Sequence, residues 1–163
     1  MKNLLLICSM LISINSFCQK TIILTNENYN QEIVGTFKIG DKILINNLPG
    51  FACCFSFEKC DLRNLLFEQI VLFMKNNPTF IFKISSHIDS QGDDSFNLKL
   101  SERRVKDLKD FFVKKGISKN KIKAKGMGET QLLNKCENGI KCSDEKHREN
   151  RRIEIKIIDI KES

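Results

Sequence analysis

The residues of this chain best placed to do chemistry lie in "TFIFKISSHIDSQGDDSFNLKLSERRVKDLKDFFVKKG", residues 79–116. Asp89 stands just past an apolar run, and Arg104 lies on the wrong side of the helix that follows. On a wheel of about 100° per residue, Leu98, Leu100, Val105, Leu108, Phe111 and Phe112 gather on one arc and most charges on the other. Asn97, Ser101 and Arg104 fall inside the apolar arc. A guanidinium there needs an ion partner or a ligand, because burying an unpaired charge is costly. Helical side chains lean toward the helix start, so Arg104 points to the loop that offers Asp89. Asp94 or Ser95 is expected to cap this helix, whose first-turn N–H groups add donors. A carboxylate, a guanidinium and amides around one pocket suit a zwitterion, with Asp89 for an ammonium and Arg104 for a carboxylate. The residues alone fit equally well a buried structural pair with no ligand.

These side chains need a scaffold. "TIILTN" and "EIVGTFKIGDKILI" alternate as strands do, the second with a turn at Gly40-Asp41. Pro49-Gly50 marks another turn. Leu62, Leu65, Leu66, Gln69, Ile70 and Phe73 recur at helical spacing behind Asp61, and Pro78 stops that helix. "TFIFKISSHI" reads as a buried strand, Gly116 ends the second helix, "NKIKAKGMGE" is a strand entering a glycine turn, and "NRRIEIKIIDI" is a last strand. The expected architecture is α+β: a β-α-β-α-β-β mixed sheet with two helices on one face, after a short β-rich segment.

The chain has 163 residues, 41% of them hydrophobic, with twelve Phe, which suffices for one packed domain. Its first 18 residues read as a secretory signal peptide: Lys2, an apolar run from Leu4 to Ile14, then small or polar residues. Lipidation at Cys18 is the minor alternative, since Phe17 stands where a lipobox has a small residue. Losing Lys2 with the leader takes the formal charge from +7 to +6. A basic exported chain can meet anionic polymers, but no basic run with interleaved aromatics suggests nucleic acid. Of seven cysteines, Cys53, Cys54, Cys60, Cys136 and Cys142 lie beyond the leader. Cys136 and Cys142 bracket the turn-like "ENGIK" and are expected to pair. Zinc at Cys136, Cys142 and His147 lacks the usual spacing, so neither metal nor cofactor is expected. His87 is read as a structural hydrogen bonder, His147 as a loop histidine, and Gly126 and Gly128 as a tight turn.

"SHIDSQG", "FNLKLSERRV", "GMGETQL" and "NRRIEI" together resemble, in order and spacing, the peptidoglycan-binding domain of the OmpA-like family, and "FSFEKCDLR" resembles its first strand and helix start. The resemblance covers roughly residues 42–160, leaving 1–18 as leader, 19–41 as an N-terminal extension and 42–163 as the domain. It implies non-covalent binding of peptidoglycan through the diaminopimelate of the stem peptide. Asp89 and Arg104 match the family's ligand-holding pair, Asn97 lines the same pocket, and Arg151 supports or extends it. Ser86, Ile88, Val105, Met127 and Leu132 depart from the family pattern. Ile88, which replaces a hydroxyl by bulk beside Asp89, is the departure expected to alter the pocket most.

The implied protein is not an enzyme, since no nucleophile with its base, metal set or paired catalytic carboxylates stands out. It is expected in the periplasm, in association with the outer membrane through a lipid anchor or an envelope protein partner. The competing reading is an interaction module of the same fold that has lost wall binding and uses the N-terminal segment and "LPGFACC" as its partner surface.

Overall fold

The computed structural model describes residues 19–25, 33–46 and 61–161. The leader, the first-strand stretch before Asp61, the Pro49-Gly50 turn, and Cys53, Cys54 and Cys60 lie outside them. The elements run β1 (Thr21–Leu24), β2 (Lys42–Asn46), α1 (Asp61–Asn76), β3 (Phe80–His87), α2 (Asp94–Lys114), β4 (Ile122–Gly128), α3 (Asp144–Asn150) and β5 (Arg152–Ile160). One five-stranded mixed sheet has the order β1-β2-β5-β3-β4. β1 and β2 are parallel, as are β3 and β4, while β5 runs antiparallel to both of its neighbours. The α+β reading holds, with a third helix, α3, added between the disulfide segment and the last strand.

Register sorts the side chains. Ile43, Ile155 and Ile84 lie side by side on β2, β5 and β3, with Ile157, Phe82 and Ile122 in the next row. All six are at most 2% exposed. Onto this face α1 presents Leu66, Phe67, Ile70 and Phe73, and α2 presents Val105, Leu108, Phe111 and Phe112, all in one core. Phe67 meets Phe111 and Phe112 across the two helices, each at 6.1 Å between ring centroids, and Phe73 meets Phe82 on the sheet at 6.0 Å. Leu65 is half exposed, so the core-facing stripe of α1 is narrower than its spacing suggested.

The stretch read as a second N-terminal strand is strand only in its latter part, β2. Residues 33–38 carry no strand, and the chain turns at Ile39-Gly40 with Gly40 at φ +100°. Buried Asp41 then secures the turn by accepting from the amides of Lys20 at 2.7 Å and Lys38 at 2.9 Å. At the far end of α2, Gly116 at φ +94° donates to Val113 O and Ile117 donates to Phe112 O, each at 3.0 Å. This is a Schellman cap, and it folds Ile117 onto the core.

Candidate functional site

α2 is the element that builds the site. Its buried stripe is Asn97, Ser101, Val105, Leu108, Phe111 and Phe112, an arc centred near Leu108 at about 120° from Phe96. Phe96 and Leu98, at the margins of the expected apolar arc, are 61% and 41% exposed. The stripe begins polar because its first two turns pack on backbone. Ser101 Oγ donates to Leu98 O at 2.7 Å and accepts the Gly128 amide at 2.9 Å. A Cβ on Gly126 would stand 2.3 Å from Glu102 N and 2.6 Å from Glu102 Cα. Gly126 therefore lies within β4 and is required by the closeness of helix and strand, a different reason from the expected turn. Only Gly128, at φ +51°, has a turn conformation. The chain then reverses, with Met127 O accepting from Thr130 N and Oγ1.

The helix start differs from expectation. Asp93 is the N-cap: its carboxylate accepts from Phe96 N at 2.9 Å and Ser95 Oγ at 2.5 Å. The Ser95 hydroxyl and the Phe96 amide hold its carboxyl below the usual carboxylate range. Asp94 and Ser95 do not cap, and the Phe96 amide, among those expected to serve a ligand, already serves Asp93.

Asp89, 3% exposed just beyond β3, forms its ion pair with Arg151 Nη1 through Oδ2, and its Oδ1 accepts the Gln91 amide at 3.2 Å. The arginine expected to support the pocket is thus an ion partner of Asp89, across 62 positions of sequence. Arg104, the partner expected from the wheel, stands half-buried on α2.

Asn97 is 2% exposed, and its Nδ2 donates to Asp89 O and Gln91 O, both at 3.2 Å, and to Glu129 Oε2 at 2.7 Å. Its amide nitrogen therefore holds the Asp89 loop in place. Glu129 Oε1 in turn accepts from Asn138 Nδ2 at 2.8 Å, and that nitrogen also donates to Asp94 at 3.0 Å. Asn138 lies inside the loop closed by the Cys136–Cys142 disulfide, which forms as expected with 5.9 Å between Cα atoms. Ser90 Oγ donates to Cys136 O at 2.5 Å, a second tie between that loop and the Asp89 loop.

The role of Glu129 and Asn150 escaped the sequence reading, although both lie inside quoted motifs. Asn150, fully buried at the end of α3, accepts the Leu133 amide at 2.7 Å and donates to Asn134 Oδ1 at 2.9 Å. Arg152, 2% exposed, reaches Gln131 O at 3.1 Å, Asn150 O at 3.3 Å and Glu154 at 2.8 Å. In "NRRIEI", then, one arginine faces Asp89 and the next pins the loop after β4.

His87 is 1% exposed, and neither ring nitrogen makes a hydrogen bond among the described residues, contrary to the expected structural bond. Burial first, then the charge of Arg152, lowers its pKa to about 4. The ring is therefore neutral at pH 7, and the 3.8 Å approach of Glu154 is a contact with a neutral imidazole. Ile88 is buried with its amide on Gly128 O at 2.8 Å. Ser86 is fully buried on the α2 side, in register with Gly126. His147, read as a loop residue, is buried on α3 and lines a cavity of about 380 Å³ with Ser90, Gln91, Glu137 and Lys141. No group of three metal-binding side chains occurs among the described residues.

An open mixed sheet with two helices on one face is the fold of OmpA-like domains, as in that of FopA1 from Francisella tularensis, with a TM-score of 0.51 at 21% identity over 82% of this chain and 92% of that one. The OmpA family pattern matches residues 61–148, more than half of the chain, and the chain belongs to that family. Outer membrane protein A of Serratia odorifera is 40% identical over 79 residues, covering 45% of this chain and 32% of that protein. Photosystem I P700 chlorophyll a apoprotein A2 of Gloeobacter violaceus is 40% identical over 90 residues, covering 54% of this chain and 10% of that protein. The chain thus spans under a third of the length of these two curated relatives. Among solved structures, the peptidoglycan-associated lipoprotein of Burkholderia pseudomallei shares the fold, with a TM-score of 0.53 at 18% identity, over 64% of this chain and 82% of that one.

Proposed function

We propose that this chain is an exported envelope protein that binds peptidoglycan without covalent chemistry. Asp89, Arg104, Asn97 and Arg151 hold the diaminopimelate of a stem peptide. The observation that supports this reading is the part-buried Asp89–Arg151 pair, with Asn97 donating to the Asp89 carbonyl and Arg104 on the same helix as Asn97. A carboxylate offers about four acceptor positions, and Arg151 and the Gln91 amide account for two. The remainder can take the ligand ammonium, while Arg104 takes its carboxylate by charge-assisted hydrogen bonds. The Burkholderia protein, named for its association with peptidoglycan, is consistent with this assignment. Each site need bind only modestly, because the wall presents many copies.

One observation favours the alternative of an interaction module without wall binding: Asp89 is almost closed to solvent and already neutralised by Arg151. Sedimentation with insoluble peptidoglycan separates the two. Under the wall-binding reading the chain co-sediments, free diaminopimelate releases it, and Asp89→Ala and Arg104→Ala stay in solution while keeping the wild-type circular dichroism. If wild type stays in solution the alternative stands, and if both variants sediment like wild type the wall is held elsewhere and the pair is structural.

A further inference from the structure

The face of the sheet opposite the helices carries a row of lysines. Lys42 of β2 is in register with Lys156 of β5, Lys156 with Lys83 of β3, and Lys83 with Lys123 of β4. Each alternates with the buried apolar row, so the four side chains leave the sheet on the same side. Lys42, Lys83 and Lys156 are half-buried and Lys123 is exposed, as expected of long stems lying on a sheet with their ammonium ends in solvent. Strands are about 4.8 Å apart, so the row runs for about 14 Å straight across four strands. On one side of it Asp159 stands opposite Ile81, and the row on the other side adds Lys125 and one acid, Glu154. That acid is held by Arg152 at 2.8 Å and lies 3.7 Å from Lys42. Among the described residues no carboxylate pairs with Lys83, Lys123 or Lys156.

Like charges directly opposite on neighbouring strands destabilise a sheet. Here that unfavourable pairing is repeated three times in one line, where an acid or a neutral residue on alternate strands would remove it. A ligand that brings negative charge along the line turns the repulsion into attraction.

We propose that this row is a docking surface for a linear polyanion whose phosphate charges recur along a chain, lying across the strands from Lys42 to Lys123. Occupancy needs no pocket, because the contacts are ion pairs set out at the strand spacing. A linear partner fits better than a flat one, since the neighbouring row is interrupted by Glu154. The surface is separate from Asp89, which lies at the end of β3, so its occupancy does not depend on wall binding there.

The test is a titration of the purified chain with long-chain inorganic polyphosphate, read by heat of binding. The expected result is saturable binding with a log K against log salt slope near −3, about 0.7 for each of four contacts. Pyrophosphate, too short to span the row, should bind about tenfold or more weakly at low salt. Lys83→Gln with Lys156→Gln should cost at least as much, while the thermal midpoint stays level or rises because like charges have been removed. Lys106→Gln on the exposed side of α2 should bind as wild type. The proposal is overturned if the double variant binds undiminished, if pyrophosphate matches the long chain, or if phosphatidylglycerol vesicles bind where polyphosphate does not.

Discussion

Asn97 Nδ2 donates to Glu129 Oε2 at 2.7 Å across 32 positions of sequence, joining the first turn of α2 to the turn after β4. The same nitrogen holds two carbonyls of the Asp89 loop, so this bond ties that loop to Glu129, which Asn138 of the disulfide loop also contacts. Removing the half-buried Glu129 carboxylate should destabilise the fold by about 1.5–2 kcal/mol, the lower part of the range for a hydrogen bond to a charged group. Asn97→Asp should cost more, about 3 kcal/mol, because it faces two carbonyls and a carboxylate with acceptors only. Urea unfolding of Glu129→Ala and Asn97→Asp would check both the size and the order.

Gly126→Ala tests the closeness of α2 and β4. The added methyl would stand 2.3 Å from the Glu102 amide nitrogen, so helix and strand must separate. Overpacking of this kind costs about 3 kcal/mol. The same substitution at Gly139, where a Cβ meets nothing within 4 Å, should cost less despite its φ of +83°. Comparing the two midpoints in one denaturant series separates packing from backbone strain.

His87 makes stability depend on pH with a fixed sign. Its pKa falls from 6.5 in the unfolded chain to about 4 when folded, so between these values the unfolded state binds the extra proton. Its stabilising effect is present above pH 6.5 and is lost as pH falls toward 4. The shift corresponds to about 3 kcal/mol, at 1.36 kcal/mol per unit. Glu154 adds to acid sensitivity: burial works upward, but the hydrogen bond and charge of Arg152 win and lower its pKa. Unfolding free energies of wild type and His87→Phe from pH 7 to 4.5 should show a shallower slope in the variant.

Opening the Cys136–Cys142 disulfide should cost about 2 kcal/mol, the chain-entropy figure for so short a loop. The loop also contributes Cys136 O to Ser90 and Asn138 to Glu129, so amides of residues 89–91 should exchange faster after reduction. Hydrogen exchange with and without dithiothreitol measures this. Unchanged exchange at 89–91 would show that the loop is held without its disulfide.

Much of the scaffold was legible because local pattern carries it. Period-two alternation marks β3 and β5, helical spacing marks α1 and α2, Pro78 and Gly116 stop the helices, and Cys136 and Cys142 bracket a turn. The N-cap was misplaced by one residue because three neighbouring side chains, at 93–95, can all cap, and only the final loop path selects Asp93. α3 was missed because seven residues of "DEKHREN" show no apolar stripe; it is held from outside, by Asn150 and buried His147.

At the site, sequence alone singled out Arg104, Asn97 and Ser101 as polar residues on a buried arc, and Asp89 as the carboxylate within reach of their helix. Burial of polar groups violates a local rule, and such a violation can be seen without coordinates. The partners could not be seen. Asp89 with Arg151, Asn97 with Glu129 and Ser101 with the Gly128 amide join positions 27 to 62 apart. Those pairings, and the line of four lysines, exist only because β5 returns antiparallel between β2 and β3 while β4 runs parallel outside β3. The sequence by itself determined which side chains needed partners, through their chemistry and period. Only the tertiary structure decided which partners they received, because strand order and register set distances that no local pattern encodes.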